Sequence, residues 1–197
     1  MFTILCDIDN IIYDTTANIL KVHYEDTGEL LTLDDIKSYY IENYVSPKYR
    51  KDFHKIFVDK RVWRGVQLLP DCVETIRKLH EAHYEIFFVT ATETLNAHKK
   101  YTFLCRTFPF LDVRKHFITT HNKQMIKGDV LIDDCGDNVI NGDYYGVLFD
   151  YPWNRDIDMD KHQNVFRVNG WSDVFETVQF LEKWKKWERS NENELRY

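Results

Sequence analysis

The chain has 197 residues, with 26 basic and 32 acidic side chains and a net charge of −6. Apolar residues make up 44% and aromatics 15%, with seven Gly and four Pro; this is enough to bury a core and excludes disordered, collagenous and low-complexity chains. No apolar run approaches the roughly 20 residues that cross a bilayer, and the acidic balance argues against a broad nucleic-acid surface.

Met1 leads straight into the apolar run Phe2 to Cys6, which reads as a strand ending in Asp7-Ile8-Asp9-Asn10. With no basic n-region before it, no signal peptide is expected. Cys6, Cys72, Cys105 and Cys135 form no CxxC pair and fit a reduced, cytoplasmic setting. A helix is predicted over about 15–25, stopped by Thr27-Gly28. Residues 30–70 change texture: they are rich in Tyr, Phe, Lys and Asp and read as short helices, one starting near Leu33-Asp34-Asp35-Ile36, another at Ser46-Pro47. Pro70 marks a return. The spacing of Val73, Ile76 and Leu79 predicts a helix from Asp71 to Tyr84, followed by the buried-strand run Ile86-Phe87-Phe88-Val89.

Another helix is expected over about 94–107, before Pro109. Short strands follow at Phe117-Ile118-Thr119, Val130-Leu131-Ile132, Gly146 to Phe149 and, as an edge, Val165 to Val168. A last helix is predicted over about 171–189, with Val174, Val178 and Leu181 in register and a frayed tail over 191–197. Apolar strands alternating with amphipathic helices point to an α/β fold, a mostly parallel sheet covered on both faces. Ligands in such sheets sit beyond the carboxyl ends of the strands.

Those ends carry chemistry. Asp7 and Asp9 close the first strand, Thr90 closes the Ile86–Val89 run, Lys123 follows the next segment, and Asp133-Asp134 close Val130–Ile132. Converging carboxylates need a cation, and an all-oxygen set without sulfur suits Mg²⁺. Asp7 can then attack phosphorus and form an acyl phosphate. Asp9 can offer its carbonyl to the metal and its carboxyl for proton transfer, while Lys123 and Thr90 engage the non-bridging oxygens. Taken singly, each piece is bland: a DxD after a strand is usually a turn, a Thr a cap, a Lys solvated. The order, spacing and strand-end placement of all four together carry the reading.

With Asp7-Ile8-Asp9, Val89-Thr90-Ala91, Lys123 and Ile132-Asp133-Asp134, the chain resembles the haloacid dehalogenase (HAD) superfamily of aspartyl-phosphate phosphatases. It is more closely similar to the 5′(3′)-deoxyribonucleotidase family through Leu33-Asp34-Asp35, Tyr39-Tyr40-Ile41, Leu68-Leu69-Pro70 and the stretch from Lys123 to Asp134. Asn154, Arg167-Val168 and Trp171 match its bacterial and phage members. The resemblance implies a Rossmann-like core over 1–14 and 70–190 and a small helical cap inserted over 15–69. It implies Asp7 as nucleophile, Asp9 as acid/base, and Mg²⁺ held by Asp7, the Asp9 carbonyl and Asp134 with Asp133 in support. It implies phosphate held by Thr90, the Ala91 amide and Lys123, although composition alone leaves Lys127 as a rival to Lys123. The base would meet Tyr39, Tyr40, Ile41 and Phe57, with Trp63 nearby; for each the alternative is the cap's own core.

Four residues depart from what the resemblance leads one to expect: Asn10 stands where the family normally has Gly, Ala91 where a hydroxyl residue is frequent, Thr15 where some relatives carry an aromatic, and His121 where some carry Arg near the substrate. Asn10 is expected to adjust locally without loss of activity. The expected substrate is a deoxyribonucleoside monophosphate; no membrane or long nucleic-acid partner is expected, and a homodimer is left open. The alternatives are a phosphatase for another small phosphomonoester and a catalytically silent nucleotide- or phosphate-binding regulator. A response-regulator receiver places its acidic pair first, the reverse of the order here. Asp156-Ile157-Asp158-Met159-Asp160 lacks the Gly and Glu of an EF-hand loop.

Overall fold

A computed structural model describes residues 1–92 and 94–194. Six parallel strands form one sheet in the order β3-β2-β1-β4-β5-β6. They are β1 (Thr3–Cys6), β2 (Glu85–Thr90), β3 (Phe117–Thr119), β4 (Val130–Asp133), β5 (Tyr145–Phe149) and β6 (Val165–Val168). Helices α1 (Thr15–Thr27), α2 (Pro47–Phe53), α3 (Lys60–Gly65), α4 (Cys72–Glu81), α5 (Thr94–Thr107), α6 (Gly136–Ile140) and α7 (Trp171–Glu194) connect them. The fold is α/β and Rossmann-like, and β6 is the expected edge.

Strand alternation sorts the core into two faces. Ile4, Cys6, Ile86, Phe88, Val130 and Ile132 pack with Ile76 and Leu79 of α4, Leu104 of α5 and Val174, Val178 and Leu181 of α7. Leu5, Val89, Leu131 and Leu148 face the other way, under Val139 of α6 and the partly buried Ile126. Burying each such side chain contributes about 1.5–3 kcal/mol.

Boundaries differ from expectation in two helices. α4 is shorter than predicted because non-glycine residues in the left-handed region bracket it, Asp71 (φ 60°) before and His83 (φ 64°) after. α7 continues past 189 to Glu194, so Asn191 is helical where fraying was expected; residues 195–197 of the expected tail lie outside the described residues.

Residues between α1 and α4 build a second apolar cluster. Ile19, Leu20 and Val22 of α1 meet Ile36, Ile41, Val45, Phe53, Ile56, Val62 and Trp63, with Trp153 entering from the strand side. α1 stops because Gly28 takes the left-handed position (φ 70°) and returns its N–H to the Tyr24 carbonyl. Pro47 opens α2 at its first turn, whereas Leu33–Asp35 is a single 3₁₀ turn closed by a Thr32/Asp35 capping box. The chain leaves and re-enters the core side by side. Asp14 N donates to the Gln67 carbonyl (3.0 Å) and Leu69 N to the Ile12 carbonyl (2.9 Å).

Candidate active site

Register brings the acidic strand ends level. Cys6 lies beside both Phe88 and Ile132, and Asp7 N donates to the Ile132 carbonyl at 2.9 Å. Alternation then sends Asp7 and Asp133 to the Leu5–Leu131 face. Lys123 waits there, on a short turn whose following residue Ile126 packs on that face. Its Nζ lies 2.6 Å from Asp7 Oδ1 and 2.7 Å from Asp133 Oδ2. Asp133 also accepts from Cys135 N (2.9 Å) and Asn138 Nδ2 (3.1 Å). Lys127, the rival lysine, is exposed.

Asp134 accepts from Asn10 Nδ2 at 2.9 Å. Asn10 occupies the left-handed region (φ 56°), and its Oδ1 accepts from Thr16 N at 2.9 Å. Asn154 Nδ2 donates to the carbonyls of Asp134 and Phe149, each at 2.8 Å, and Arg167 donates in turn to the Asn154 carbonyl at 2.8 Å. Asn154 and Arg167 therefore support the end of β4.

Asp7, Asp133 and Asp134 each offer a carboxylate oxygen within 4.8 Å of the others, and all three are buried. Burial pushes the Asp7 carboxyl up to about 7, with Lys123 opposing the rise. Asp134 is also raised, by burial first and then by Asp133 and Asp7. For Lys123 burial favours the neutral amine, but Asp133 and Asp7 outweigh it and hold the ammonium above the ordinary lysine value. With all three ionised, the carboxylates outnumber the Lys123 ammonium by two charges, and burial resists that state unless a cation joins them. A hard divalent cation with oxygen ligands fits that donor set in charge and chemistry.

Asp9, past the turn at Ile8, meets a different lysine. Lys100 of α5 forms an ion pair with Asp9 Oδ2 and donates to Thr90 Oγ1 at 2.8 Å. Thr15 Oγ1 donates to Asp9 Oδ1 at 2.9 Å. Lys100 is only 2% exposed, and sequence reading missed it. The signal was the helical stripe Asn96, Lys100, Leu104, the buried residues of α5.

A cavity of about 350 Å³ opens above these groups. Asp9, Asn10, Asp134 and Lys100 contribute to its lining, as do Ala91 and His121, while Asp7, Thr90 and Lys123 are buried and do not. All four residues expected to meet a base line it: Tyr39 and Tyr40 are largely exposed and touch each other edge to face at 6.0 Å. Ile41, Phe57 and Trp63 line it too, yet also pack in the helical cluster. Trp153, missed from sequence, completes the wall, and neither its indole N–H nor that of Trp63 has a partner among the described residues.

A sequence profile of the family described as "5′ nucleotidase, deoxy (Pyrimidine), cytosolic type C protein" matches residues 1–184. The chain belongs to this family. Among its relatives, a 5′(3′)-deoxyribonucleotidase from Clostridium acetobutylicum is 31% identical over 147 residues, covering 72% of this chain and 81% of that protein. One from Bacillus subtilis is 25% identical over 176 residues, covering 87% and 95%. The fold is that of HAD hydrolases. A HAD family hydrolase from Deinococcus radiodurans, with bound phosphate and sodium, superposes with a TM-score of 0.59 at 15% identity, over 91% of this chain and 96% of that one. YfnB from Bacillus subtilis, bound to magnesium, gives 0.57 at 13% identity, over 90% and 98%. The family is one of phosphoric monoester hydrolases, and this chain is an enzyme of that class. No helix among the described residues is long and apolar enough to cross a membrane.

Proposed function

We propose that the chain is a Mg²⁺-dependent phosphatase that hydrolyses deoxyribonucleoside monophosphates through an aspartyl phosphate on Asp7. The observation that carries this reading is the buried Asp7–Lys123–Asp133–Asp134 cluster at the carboxyl edge of the sheet, beneath a cavity walled by aromatic residues. Asp7, Asp134 and the Asp9 carbonyl would hold Mg²⁺, with Asp133 behind them. When bound, the ion supplies charge neutralisation for the phosphate oxygens.

The chain's own residues do the rest. A carboxylate oxygen of Asp7 attacks phosphorus, and the bond from phosphorus to the nucleoside oxygen breaks. Asp9 delivers a proton to that leaving oxygen. It then takes one from the water that attacks the acyl phosphate, releasing phosphate and restoring Asp7. Lys123, the Thr90 hydroxyl and the Ala91 amide hold the non-bridging oxygens. Asp133 anchors Lys123, which it meets at 2.7 Å.

The segment 15–69 acts as a cap over the base. Tyr39 and Tyr40 stack on it, Ile41 and Phe57 border it, and His121 faces the sugar-phosphate end. Thr15 spends its hydroxyl on Asp9, so the place of an aromatic residue is taken by a group that steadies the acid/base.

Phosphate release from deoxy- and ribonucleoside monophosphates and from a small alkyl phosphate, with Mg²⁺ and with EDTA, tests the reading. Mg²⁺-dependent release that prefers deoxynucleotides supports it. Release from the alkyl phosphate alone leaves a phosphatase for another small ester. Nucleotide binding without release leaves the silent regulator.

A further inference from the structure

Lys100 has no part in the steps above, yet its burial is costly. Removing an ammonium from water costs several kcal/mol, and a buried ion pair replaced whole by apolar side chains of similar volume often leaves a fold as stable or more so. Its surroundings explain the lysine in another way. Ammonium is a donor only, so Thr90 Oγ1 must accept from it at 2.8 Å. That contact uses a lone pair of Thr90 and leaves the hydroxyl proton free to donate elsewhere. The same ammonium pairs with Asp9 Oδ2 while Thr15 donates to Asp9 Oδ1 at 2.9 Å, so both carboxylate oxygens are held. The Trp63 ring, 5.4 Å from Nζ, closes the remaining side.

We propose that Lys100 is a positioning residue that locks the Asp9 carboxyl and the Thr90 hydroxyl into one unit, fixing the proton-transfer group relative to the phosphate grip. The inference rests on the phosphatase reading and extends it. The two lysines then divide the work. Lys123 reaches Asp7 from the Leu5–Leu131 face, and Lys100 reaches Asp9 from α5, whose Leu104 packs on the Phe88 face.

The test compares wild type, Lys100→Met, Asp9→Asn and the double variant on a deoxyribonucleoside monophosphate and on p-nitrophenyl phosphate, with Mg²⁺. The quantity read is kcat/KM, which reports the first phosphoryl transfer. The nucleoside alkoxide needs a proton to leave, and p-nitrophenolate does not. Positioned acid–base groups contribute about 10²–10⁴-fold, so Lys100→Met is expected to lose about 10²-fold or more on the nucleotide and less than about 10-fold on p-nitrophenyl phosphate. In the Asp9→Asn background the same substitution is expected to cost less than about threefold, because residues acting through one another are not additive. Equal losses on both esters, the same loss in both Asp9 backgrounds, or no loss at all would overturn the proposal. Lys100→Gln, which keeps an N–H donor without charge, carries the same comparison if Lys100→Met does not fold. A wild-type protein inactive on both esters would overturn the phosphatase reading, and this inference with it; an active wild type with an unaffected Lys100→Met overturns this inference alone.

Discussion

Lys123 Nζ lies 2.6 Å from Asp7 Oδ1, with both side chains less than a tenth exposed. Deleting one partner of such a buried pair typically costs about 3–5 kcal/mol, because the other charge is left unpaired. Lys123→Met is therefore expected to lower the melting temperature of the metal-free protein and to reduce turnover by at least about 10²-fold, on the scale of other transition-state charge donors. Thermal melts with and without Mg²⁺ check it; an unchanged melting temperature would place the pair outside the folded-state electrostatics.

Asn10 ties Asp134 to the first turn of α1, through Nδ2 on one side and Oδ1 on the other. Asn10→Gly removes the strain of the left-handed position, about 1 kcal/mol. It also removes two hydrogen bonds, of which the one to a charged group is worth about 1.5–3 kcal/mol. The loss outweighs the gain. Calorimetric titration with Mg²⁺ is expected to show several-fold weaker binding in Asn10→Gly, and equal or tighter binding would contradict the account.

Burial raises Asp7 to about 7 from an ordinary value of 3.8. Between those values the folded state holds a proton that the unfolded state has released, so stability falls as pH rises through this window. Metal-free protein is expected to melt at lower temperature at pH 8 than at pH 6. Saturating Mg²⁺ should flatten the difference, because a bound cation favours the ionised carboxylate. Melts across that range, with Mg²⁺ and with EDTA, read the sign directly.

Tyr40 is 62% exposed and lines the cavity without joining the helical core. Stacking on one ring is worth about 1–3 kcal/mol. Tyr40→Ala should raise KM for a deoxynucleotide about 10-fold, leave KM for a small alkyl phosphate within about twofold, and leave the melting temperature nearly unchanged. Equal effects on both substrates would remove the base from this part of the cavity.

The strand-end groups were legible because parallel strands bring their carboxyl ends to one edge; Asp7, Thr90, Asp133 and Asp134 needed only strand order to converge. Lys123 was preferred to Lys127 only through the spacing of the family it resembles; in the structure Lys123 is buried and Lys127 exposed. Lys100 was not read because Lys99-Lys100 is an adjacent pair on a helix, and only the buried stripe with Asn96 and Leu104 shows which one turns inward. The aromatic residues of 39–63 could not be divided between pocket and core by sequence. The structure leaves Tyr39 and Tyr40 exposed in the pocket and uses Ile41 and Trp63 for both. Trp153 lies far along the chain, in a Tyr-Pro-Trp-Asn turn of which only Asn154 stood out in the sequence, and only the tertiary fold carries it to the helical cluster.

The central claim is a covalent phosphoryl group on Asp7. The most direct measurement is mass analysis of the enzyme after acid quench during turnover of a deoxyribonucleoside monophosphate with Mg²⁺. The account predicts one phosphoryl group on the peptide that contains Asp7, and neither modification nor phosphate release in Asp7→Asn. Phosphate release that persists in Asp7→Asn, or a phosphoryl group on a different residue, would contradict it.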